Sequence, residues 1–416
     1  MSGPDIFSPE FARDPYPHYR VMRDAHPLYF HEGAGAYILS RHQDVDFALK
    51  NPAFTTESYA RQIEPLLGRT IVQLDGSEHA AQRGMLAPSF QSANIRKKFL
   101  VLIEDTARSL IDGFHGRGEV ELIAEFVTEF PVGILAGLLG LPRNDSGRFR
   151  TWYTSLLRFG LNLTGDPEVA RAGFAARDEL DDYLRPLIRA RRVAPGDDLL
   201  SMLASIDADG QRLSDDEIAR FGMLMIFAGG ETTEKTLATV FRNLVSHKEQ
   251  LAAVAADRNL IERAIAESIR FTAPTHMVPR RTCADVAVSG GTIPAQSEVL
   301  CFLGAANRDE RRYERPDAFD IFRTETDPAR AFTGAAGHLA FGGGRHFCLG
   351  AQLAKFEVLS AIQQLLDAME DIRYAEGAAP SDEGLFLRGP KAMRLRFKPT
   401  AGPRAVATRE DTSPPK

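Results

Sequence analysis

The sequence of 416 residues is poor in cysteine, with three in all, and no stretch of it approaches the roughly 18 consecutive apolar residues of a membrane-spanning helix. Three cysteines in so long a chain cannot build a disulfide framework, which indicates a reducing compartment. The N-terminus lacks the basic start and the apolar run of a signal peptide. We therefore expect a soluble, cytoplasmic protein that does not associate with a membrane.

The chain also lacks an excess of positive charge, since its formal net charge at pH 7 is −6. A nucleic-acid-binding protein normally presents a basic face, so the charge balance argues against that class. A hydrophobic content of 44% is ordinary for a globular protein with a sizeable core. No repeat or linker-like break interrupts residues 28–398, so we expect one domain over residues 1–398. Residues 399–416 are rich in Pro, Ala, Thr and charge, which predicts a disordered tail.

Helical periodicity dominates the sequence and short β-rich segments accompany it, so the expected fold class is mainly α with small β-sheets. Helices are predicted over residues 93–113, 120–139, 171–192 and 199–205, and from Gly350 to about Met369. A β-hairpin is predicted over residues 28–40, a second β-rich segment over 285–302 and a strand over 392–397.

The longest predicted helix begins at a capping box, in which Ser214 is the N-cap and Glu217 lies three residues later, and it continues to His247. Residues 221–227 are apolar on all sides, so this helix must cross the core. Its middle carries the segment AGGETT, residues 228–233, in which two adjacent glycines each weaken the helix by about 1 kcal/mol relative to alanine. A run of polar residues in a buried helix is also unfavourable unless its polar groups form hydrogen bonds. Segments whose residues are unfavourable for the local structure often mark functional sites.

Cys348 lies in the segment FGGGRHFCLG, residues 341–350, just before a predicted helix that opens at Gly350. The free N–H groups and the dipole of a helix N-terminus favour the thiolate form of such a cysteine. A lone cysteine cannot form a structural zinc site, and His346 is too close in the chain to serve well as the base of a Cys–His nucleophile. A single axial thiolate on haem iron fits both the lone sulfur and the close, flat approach that glycines 342–344 allow.

The pattern F-G-x-G-x-H-x-C-x-G resembles the haem-thiolate signature of the cytochrome P450 superfamily, and it is filled by Phe341, Gly342, Gly344, His346, Cys348 and Gly350. The resemblance implies the cytochrome P450 fold, in which a helical haem domain is built around a long central helix. It further implies haem b as the cofactor, with Cys348 as the ligand of its iron and the other residues of the signature beside it.

The segment AGGETT resembles the oxygen-activation motif of the same family. The resemblance implies that Ala228 and Gly229 lie against the haem, and that Glu231 and Thr232 are an acid–alcohol pair that delivers protons during oxygen activation. A threonine hydroxyl both accepts and donates a hydrogen bond, which suits such a role. Gly229 and Gly230 are expected to loosen the helix so that oxygen and water fit.

A further motif occurs in the order that the family shows. Glu267 and Arg270 match its E-x-x-R pair, to which we assign a structural role. The third partner of that pair is usually an arginine, but this chain has Ala318 at the matching place, so Arg315 or Arg323 is expected to substitute for it.

The resemblance also implies cations or hydrogen-bond donors for the two haem propionates. His79 and Arg83, four residues apart, share a helix face and match the family's H-x-x-x-R pair. His346 is the third such group. The fourth is an arginine before the second β-rich segment, for which the spacing favours Arg280 over Arg281.

By analogy with the family, substrate contacts are expected from four regions: residues 55–73, residues 149–173, the middle of the central helix, and residues 275–278 with 385–387. The substrate-lining residues predicted are Leu224, Phe227, Thr275, His276, Val278 and Phe386. Most are apolar, which favours a hydrophobic organic substrate. His276 is the polar exception, and it either bonds to the substrate or is a surface or propionate-linked histidine.

The resemblance implies a monooxygenase that inserts one atom of O2 into a hydrophobic substrate, such as a secondary-metabolite scaffold, and reduces the other atom to water. Electrons are expected from NAD(P)H through a separate ferredoxin and ferredoxin reductase, with the enzyme as a monomer. Residues 96–98, Arg345 and Lys355 are basic and are expected to steer an acidic partner. Oxidative C–C or C–N coupling, desaturation and peroxide-driven oxidation remain alternatives, whereas a haem sensor or carrier has no use for Glu231 and Thr232.

Overall fold

The structure, a computed structural model, describes residues 3–142, 145–160, 162, 165–207, 210–377 and 379–400. The last described strand runs to Pro399, one residue past the predicted end of the domain. The tail predicted to be disordered lies, from residue 401 onward, outside the described residues.

Helices form most of the described chain, which confirms the predicted mainly α class. In chain order they are α1 (Pro9–Arg13), α2 (Pro15–Ala25), α3 (His42–Lys50), α4 (Ser58–Gln62), α5 (Glu64–Leu67), α6 (Gly76–Leu86), α7 (Ser92–Asp112), α8 (Glu129–Leu138), α9 (Ser146–Gly160), α10 (Pro167–Val193), α11 (Leu199–Ala204), α12 (Asp215–Ser246), α13 (Lys248–Ala256), α14 (Ile261–Phe271), α15 (Leu303–Ala306) and α16 (Ala351–Ala368). Among the described residues, no helix combines the length and the apolar character needed to cross a membrane.

The strands are short and confirm the predicted β-rich segments. They are β1 (Leu28–His31), β2 (Ala36–Leu39), β3 (Phe54–Thr55), β4 (Glu119–Glu121), β5 (Val278–Thr282), β6 (Val286–Val288), β7 (Gly291–Ile293), β8 (Glu298–Cys301), β9 (Met369–Tyr374), β10 (Asp382–Glu383), β11 (Gly389–Pro390) and β12 (Arg394–Pro399).

The strands pair into small sheets at the margin of the helical body. The largest has the order β1-β2-β8-β5-β3, and the others are β4-β12-β9, β6-β7 and β10-β11. In the largest sheet β2 and β8 run parallel, with Tyr37 opposite Val299, and the other neighbours are antiparallel. Strand β5 lies inside this sheet and is hydrogen-bonded to β8 on one side and to β3 on the other.

The predicted helix over residues 120–139 is wrong in its first part. Val120 lies in strand β4, opposite Leu395 of β12, and a π-helical turn over Ile123–Val127 follows. The α-helix begins only at Glu129. The local pattern did not reveal this because the pairing partner of β4 lies near the other end of the chain, and tertiary pairing overrides local propensity.

The predicted central helix is confirmed as α12. Ser214 caps it by accepting a hydrogen bond from the Glu217 N–H, and the Glu217 side chain accepts one from the Ser214 N–H at 2.8 Å. The helix is buried along most of its length and packs against α8, α10, α14 and α16. Since α16 starts directly after residue 350, this packing brings the cysteine-containing loop to the middle of α12.

Candidate active site

A cavity of about 370 Å³ lies between α12, β5, the start of α16 and the cysteine segment, defined as residues 341–350. This volume is in the range of small-molecule sites. Most of the predicted site residues line it, namely His79, Arg83, Leu224, Ala228, Gly229, Thr232, Thr275, Val278, Arg280, Phe341, Gly342, His346, Cys348 and Gly350. Motifs that are far apart in the chain therefore meet at one place.

The cysteine segment forms a tight loop that depends on its glycines. Gly342 and Gly344 have φ angles of 71° and 61°, which residues with a side chain rarely adopt. A Cβ at position 344 would lie 2.6 Å from the carbonyl oxygen of Leu49, so glycine lets the loop pack on the end of α3. The Cys348 N–H donates a hydrogen bond to the Phe341 carbonyl at 3.0 Å and closes the loop.

Cys348 is accessible to solvent although it lies deep within the protein, because its side chain faces the cavity. Burial raises the pKa of the thiol, while the N–H groups of Gly350 and Ala351 and the charge of Arg83 oppose that shift. Coordination to a metal ion would favour the thiolate form despite this burial. The described residues contain no group of three or more His, Cys, Asp or Glu side chains placed to hold a metal ion.

Nitrogen-bearing side chains gather at one side of the cavity beside the cysteine segment. The His79 and His346 ring centroids lie 4.3 Å apart, and Arg83 donates to the Phe347 carbonyl at 2.7 Å. The Nε2 atom of His79 is buried and has no partner among the described residues. Burial, together with the neighbouring charges of His346 and Arg83, lowers the pKa of His79 to about 4. Such a crowded set of donors is suited to an anionic group.

Arg280 and Arg281 point to opposite sides of β5, as successive strand residues do. Arg280 is buried, lines the cavity and donates to the Pro279 carbonyl at 2.8 Å. Arg281 pairs instead with Glu298 at 2.9 Å. Of these two arginines, Arg280 is therefore the one placed to contact a group inside the cavity.

Asp75, directly before α6, is a site residue that the sequence analysis did not single out. Its Oδ1 atom lies 3.0 Å from His346 Nε2 and accepts from Arg345 Nε at 2.5 Å, and its Oδ2 atom accepts from the Thr56 N–H at 2.9 Å. Burial opposes the charge, but these hydrogen bonds hold the pKa of Asp75 well below its ordinary value. In the sequence, its position directly before the helix that carries His79 was the signal that Asp75 belongs to the site.

These residues fit a haem group, which needs one axial ligand for the iron and partners for two propionates. One sulfur faces the cavity, and the buried Nε2 of His79 lacks a partner among the described residues. A Cβ at position 350 would meet no atom within 4 Å, so there is open space beside Cys348. The donor set and the space therefore agree with the cofactor that the signature implies.

One face of α12 forms the wall of the cavity. The residues on that face are Ala228, Gly229, Thr232, Thr233 and Thr236. Ala228 is exposed in the middle of a buried helix for the same reason as Cys348, because it faces the cavity. The Thr232 hydroxyl donates to the Ala228 carbonyl at 2.8 Å, so it rests on the helix backbone.

Glu231 lies on a different side of α12 and is not among the residues that line the cavity. Adjacent helical residues point about 100° apart, so the predicted acid and alcohol flank the helix rather than face the same space. Burial raises the pKa of Glu231, while the charge of Lys235 lowers it and that of Glu234 raises it. A raised pKa suits a carboxyl group that has to hold a proton near neutral pH.

The structure corrects the expectation that Gly229 and Gly230 loosen α12, because the helix is continuous over residues 228–233. A Cβ on Gly230 would lie 2.5 Å from Tyr153 Oη, and a Cβ on Gly229 would lie 3.3 Å from Leu135 Cδ2. The glycines therefore admit side chains from α9 and α8.

The E-x-x-R pair is fully buried, and its third arm is Arg323. Arg270 binds the Glu267 carboxylate through Nε at 2.8 Å and Nη2 at 2.7 Å, and Arg323 Nε lies 3.3 Å from Glu267 Oε1. Arg315 is exposed and lies 3.5 Å from Asp320. Arg323 therefore takes the place left open at position 318.

Three of the predicted substrate-lining residues lie elsewhere. Phe227 packs on Gly160 of α9, on the side of α12 away from the cavity. Phe386 packs beside the N-terminal helices. His276 is buried under α2, with its Nδ1 atom 2.6 Å from Tyr19 Oη, and burial lowers its pKa to about 3. Backbone pairing with residue 386 turns the His276 side chain away from the cavity, so it does not bond to a substrate there.

Glu357 on α16 lines the cavity and was also missed. It is buried, and it accepts a hydrogen bond from the Thr233 hydroxyl at 3.3 Å. Burial raises its pKa to about 8. A carboxyl group among the apolar positions of a helix next to the cysteine segment was a signal for it in the sequence.

A helical fold around α12, with one cysteine facing the cavity that this helix lines, is the architecture of a haem-thiolate enzyme. The family model for cytochrome P450 matches residues 149–394, more than half of the chain. The chain belongs to the cytochrome P450 family. It is accordingly a haem-thiolate monooxygenase with haem iron as its cofactor.

Individual relatives support this assignment over nearly the whole chain. Pulcherriminic acid synthase of Bacillus subtilis (strain 168) is 35% identical over 394 residues, which covers 94% of this chain and 97% of the relative. Cytochrome P450 monooxygenase PikC of Streptomyces venezuelae is 30% identical over 409 residues, with 94% and 92% covered. The ligand-free structure of cytochrome P450 TbtJ1 matches with a TM-score of 0.83 at 34% identity and covers 92% of this chain and 97% of that one.

Proposed function

We propose that this monooxygenase inserts one atom of O2 into a hydrophobic scaffold of secondary metabolism, with haem b held through Cys348. The observation that carries the proposal is the single cavity in which Cys348 and the Thr232 face of α12 meet. Bound haem iron would supply the activation of oxygen. The relatives are in keeping with such a substrate, since one of them is named as the synthase of pulcherriminic acid.

The cofactor would be held by the residues that fit it. Cys348 would supply the axial sulfur, and Phe341, Gly342 and Gly350 would leave room beside it. His79, Arg83, Arg280 and His346 would bind the propionates, which gives the unpartnered Nε2 of His79 an acceptor. Asp75 keeps His346 oriented through the 3.0 Å contact with its Nε2 atom.

Protons would be moved by the chain's own pair Glu231 and Thr232. The Thr232 hydroxyl, now bonded to the Ala228 carbonyl, reaches the cavity by rotation about χ1 and passes a proton there. The raised pKa of Glu231 lets its carboxyl group hold the next proton on the flank of the helix. Glu231 and Thr232 are both only partly exposed, which limits competition from bulk water.

The substrate would contact an apolar wall that includes Leu224 and Val278, with Thr275 as a polar neighbour. The residues Ile71, Val72 and Met225 extend the wall. A cavity lined in this way favours a hydrophobic molecule, held by few directional contacts.

Electrons would come from NAD(P)H through a ferredoxin reductase and a ferredoxin that docks on the monomer near the cysteine segment. Arg96 and Lys97 are exposed on α7, and Arg96 stacks over Phe356 of α16. Arg345 and Lys355 are engaged with Asp75 and Glu262 and are less free to meet a partner. Arg96 and Lys97 are therefore the better steering residues for an acidic protein.

The test is turnover with ferredoxin, ferredoxin reductase and NAD(P)H on a library of hydrophobic natural products, chosen by their type I spectral shifts. With isotope-labelled O2, the proposal predicts a product that gains one labelled oxygen atom. A coupled or desaturated product without that oxygen would contradict it.

A further inference from the structure

Helices α9 and α12 pack through two reciprocal contacts between an aromatic ring and a glycine. The Tyr153 ring of α9 lies on Gly230 of α12, where a Cβ would be 2.5 Å from Tyr153 Oη. The Phe227 ring of α12 lies on Gly160 of α9, where a Cβ would be 2.5 Å from Phe227 Cζ. The two contacts bring α9 against the back of α12, opposite its cavity face.

The Tyr153 hydroxyl is not explained by this packing. The residue is 4% exposed, and its Oη atom has no hydrogen-bond partner within the part of the chain that the structure describes. A buried hydroxyl without a partner is destabilising, so most buried hydroxyls in native proteins bond to a protein group or to an ordered water. A phenylalanine at position 153 would pack on Gly230 equally well.

Two carboxyl groups, those of Glu231 and Glu234, belong to the face of α12 on which the Tyr153 ring lies. Residues 227, 230, 231 and 234 recur at helical spacing and share that face. Burial raises the pKa of Tyr153, and the charges of Glu234 and Glu231 raise it further. Glu234 is already bound by Lys235, with Oε1 and Nζ 2.9 Å apart. Glu231 has no hydrogen-bond partner within the described part of the chain, so its carboxylate is the freer of the two to accept a bond.

We propose that Tyr153 is a positioning residue for Glu231, whose carboxylate accepts a hydrogen bond from the Tyr153 hydroxyl, directly or through one water molecule. The inference rests on the proposed function, in which Glu231 holds a proton for Thr232. Tyr153 keeps its own proton throughout, so it orients the acid and takes no part in the transfer. The proton that Glu231 gives up is replaced from water.

The variant Tyr153→Phe removes the hydroxyl and leaves the ring on Gly230. We expect about a tenfold rise in the ratio of hydrogen peroxide to product, the scale of one lost hydrogen bond to a charged group. Loss of that bond raises the pKa of Glu231 further, so the pH at which coupling falls moves upward. The matched control is Tyr183→Phe, since Tyr183 lies beside α9 but donates to Asp145 at 2.6 Å, and its ratio should stay within about twofold of wild type.

The measurements use haem-loaded enzyme with ferredoxin, its reductase and a substrate that gives a type I shift. In a Glu231→Gln background, Tyr153→Phe should add nothing, because the acceptor is already gone. Gly230→Ala, which displaces the Tyr153 ring, should raise the peroxide ratio as well. An unchanged thiolate spectrum shows that each variant is folded.

The outcomes separate the two claims. If Glu231→Gln uncouples the enzyme but Tyr153→Phe changes only thermal stability, with the same peroxide ratio and pH midpoint as wild type, the inference is overturned and the proposed function stands. If Glu231→Gln itself couples like wild type, the proton-holding role of Glu231 fails and the inference fails with it.

Discussion

Replacing Arg323 by alanine tests how this chain holds a buried carboxylate without the arginine usual at position 318. Glu267 is 0% exposed, and Arg323, also buried, approaches it at 3.3 Å. Arg323 Nη2 donates at 3.0 Å to the Arg315 carbonyl and at 3.2 Å to the Ala318 carbonyl, and Nη1 donates to the Glu314 carbonyl. The substitution therefore removes one cation from a buried charge and takes one donor from each of three carbonyl groups.

Removing one partner of a buried ion pair costs roughly 3–5 kcal/mol. Arg270 keeps both of its hydrogen bonds to Glu267, which places Arg323→Ala at the lower end, about 3 kcal/mol. The matched control is Arg315→Ala in the same loop. Arg315 is exposed and its contact to Asp320 is 3.5 Å, so the loss there should be below about 1 kcal/mol.

The assay is denaturant unfolding of both haem-loaded variants, followed by circular dichroism and by the Soret band. We expect Arg323→Ala to unfold at a clearly lower denaturant concentration and Arg315→Ala to follow wild type. Equal stability of the two variants, or a larger loss from Arg315→Ala, would refute the assignment of the third arm.

Other predictions follow from the cavity. Glu357 keeps its proton in the folded protein up to about pH 8 but loses it near pH 4.5 when unfolded, so the free energy of unfolding should fall as pH rises between these values. Denaturant midpoints measured from pH 5 to pH 8 should therefore depend less on pH in Glu357→Gln than in wild type. Thr232→Ala should divert electrons to hydrogen peroxide while the haem spectrum stays unchanged, and an unaltered product yield per NAD(P)H would contradict its role. Arg280→Ala should lower the retention of haem on gel filtration, and Arg281→Ala, whose side chain pairs with Glu298, should not.

Much of the fold and site was predictable because the signals are local. The capping box of Ser214 and Glu217 marked the start of α12, and the resemblance of residues 341–350 to the family signature directed attention to the loop that faces it. Residues within one motif keep their relative positions in any fold that contains the motif. Most of the residues predicted from these motifs line the same cavity.

The sequence-based predictions failed where the surroundings of a side chain depend on which distant segment packs against it. Gly230 was interpreted as a weak point in the helix, whereas the structure shows it receiving Tyr153 from α9. His276 was placed at the substrate, but pairing of its backbone with residue 386 puts its side chain under Tyr19. Such contacts join segments far apart in the chain, so no local pattern reports them.

The most direct test of the whole account is the spectrum of the reduced, haem-loaded protein with carbon monoxide. With the Cys348 sulfur as the axial ligand, the wild type shows the long-wavelength Soret band of a thiolate complex, and Cys348→His loses it. A wild-type band at the shorter wavelength of a nitrogen-ligated haem, or a band that survives in Cys348→His, would contradict the central claim.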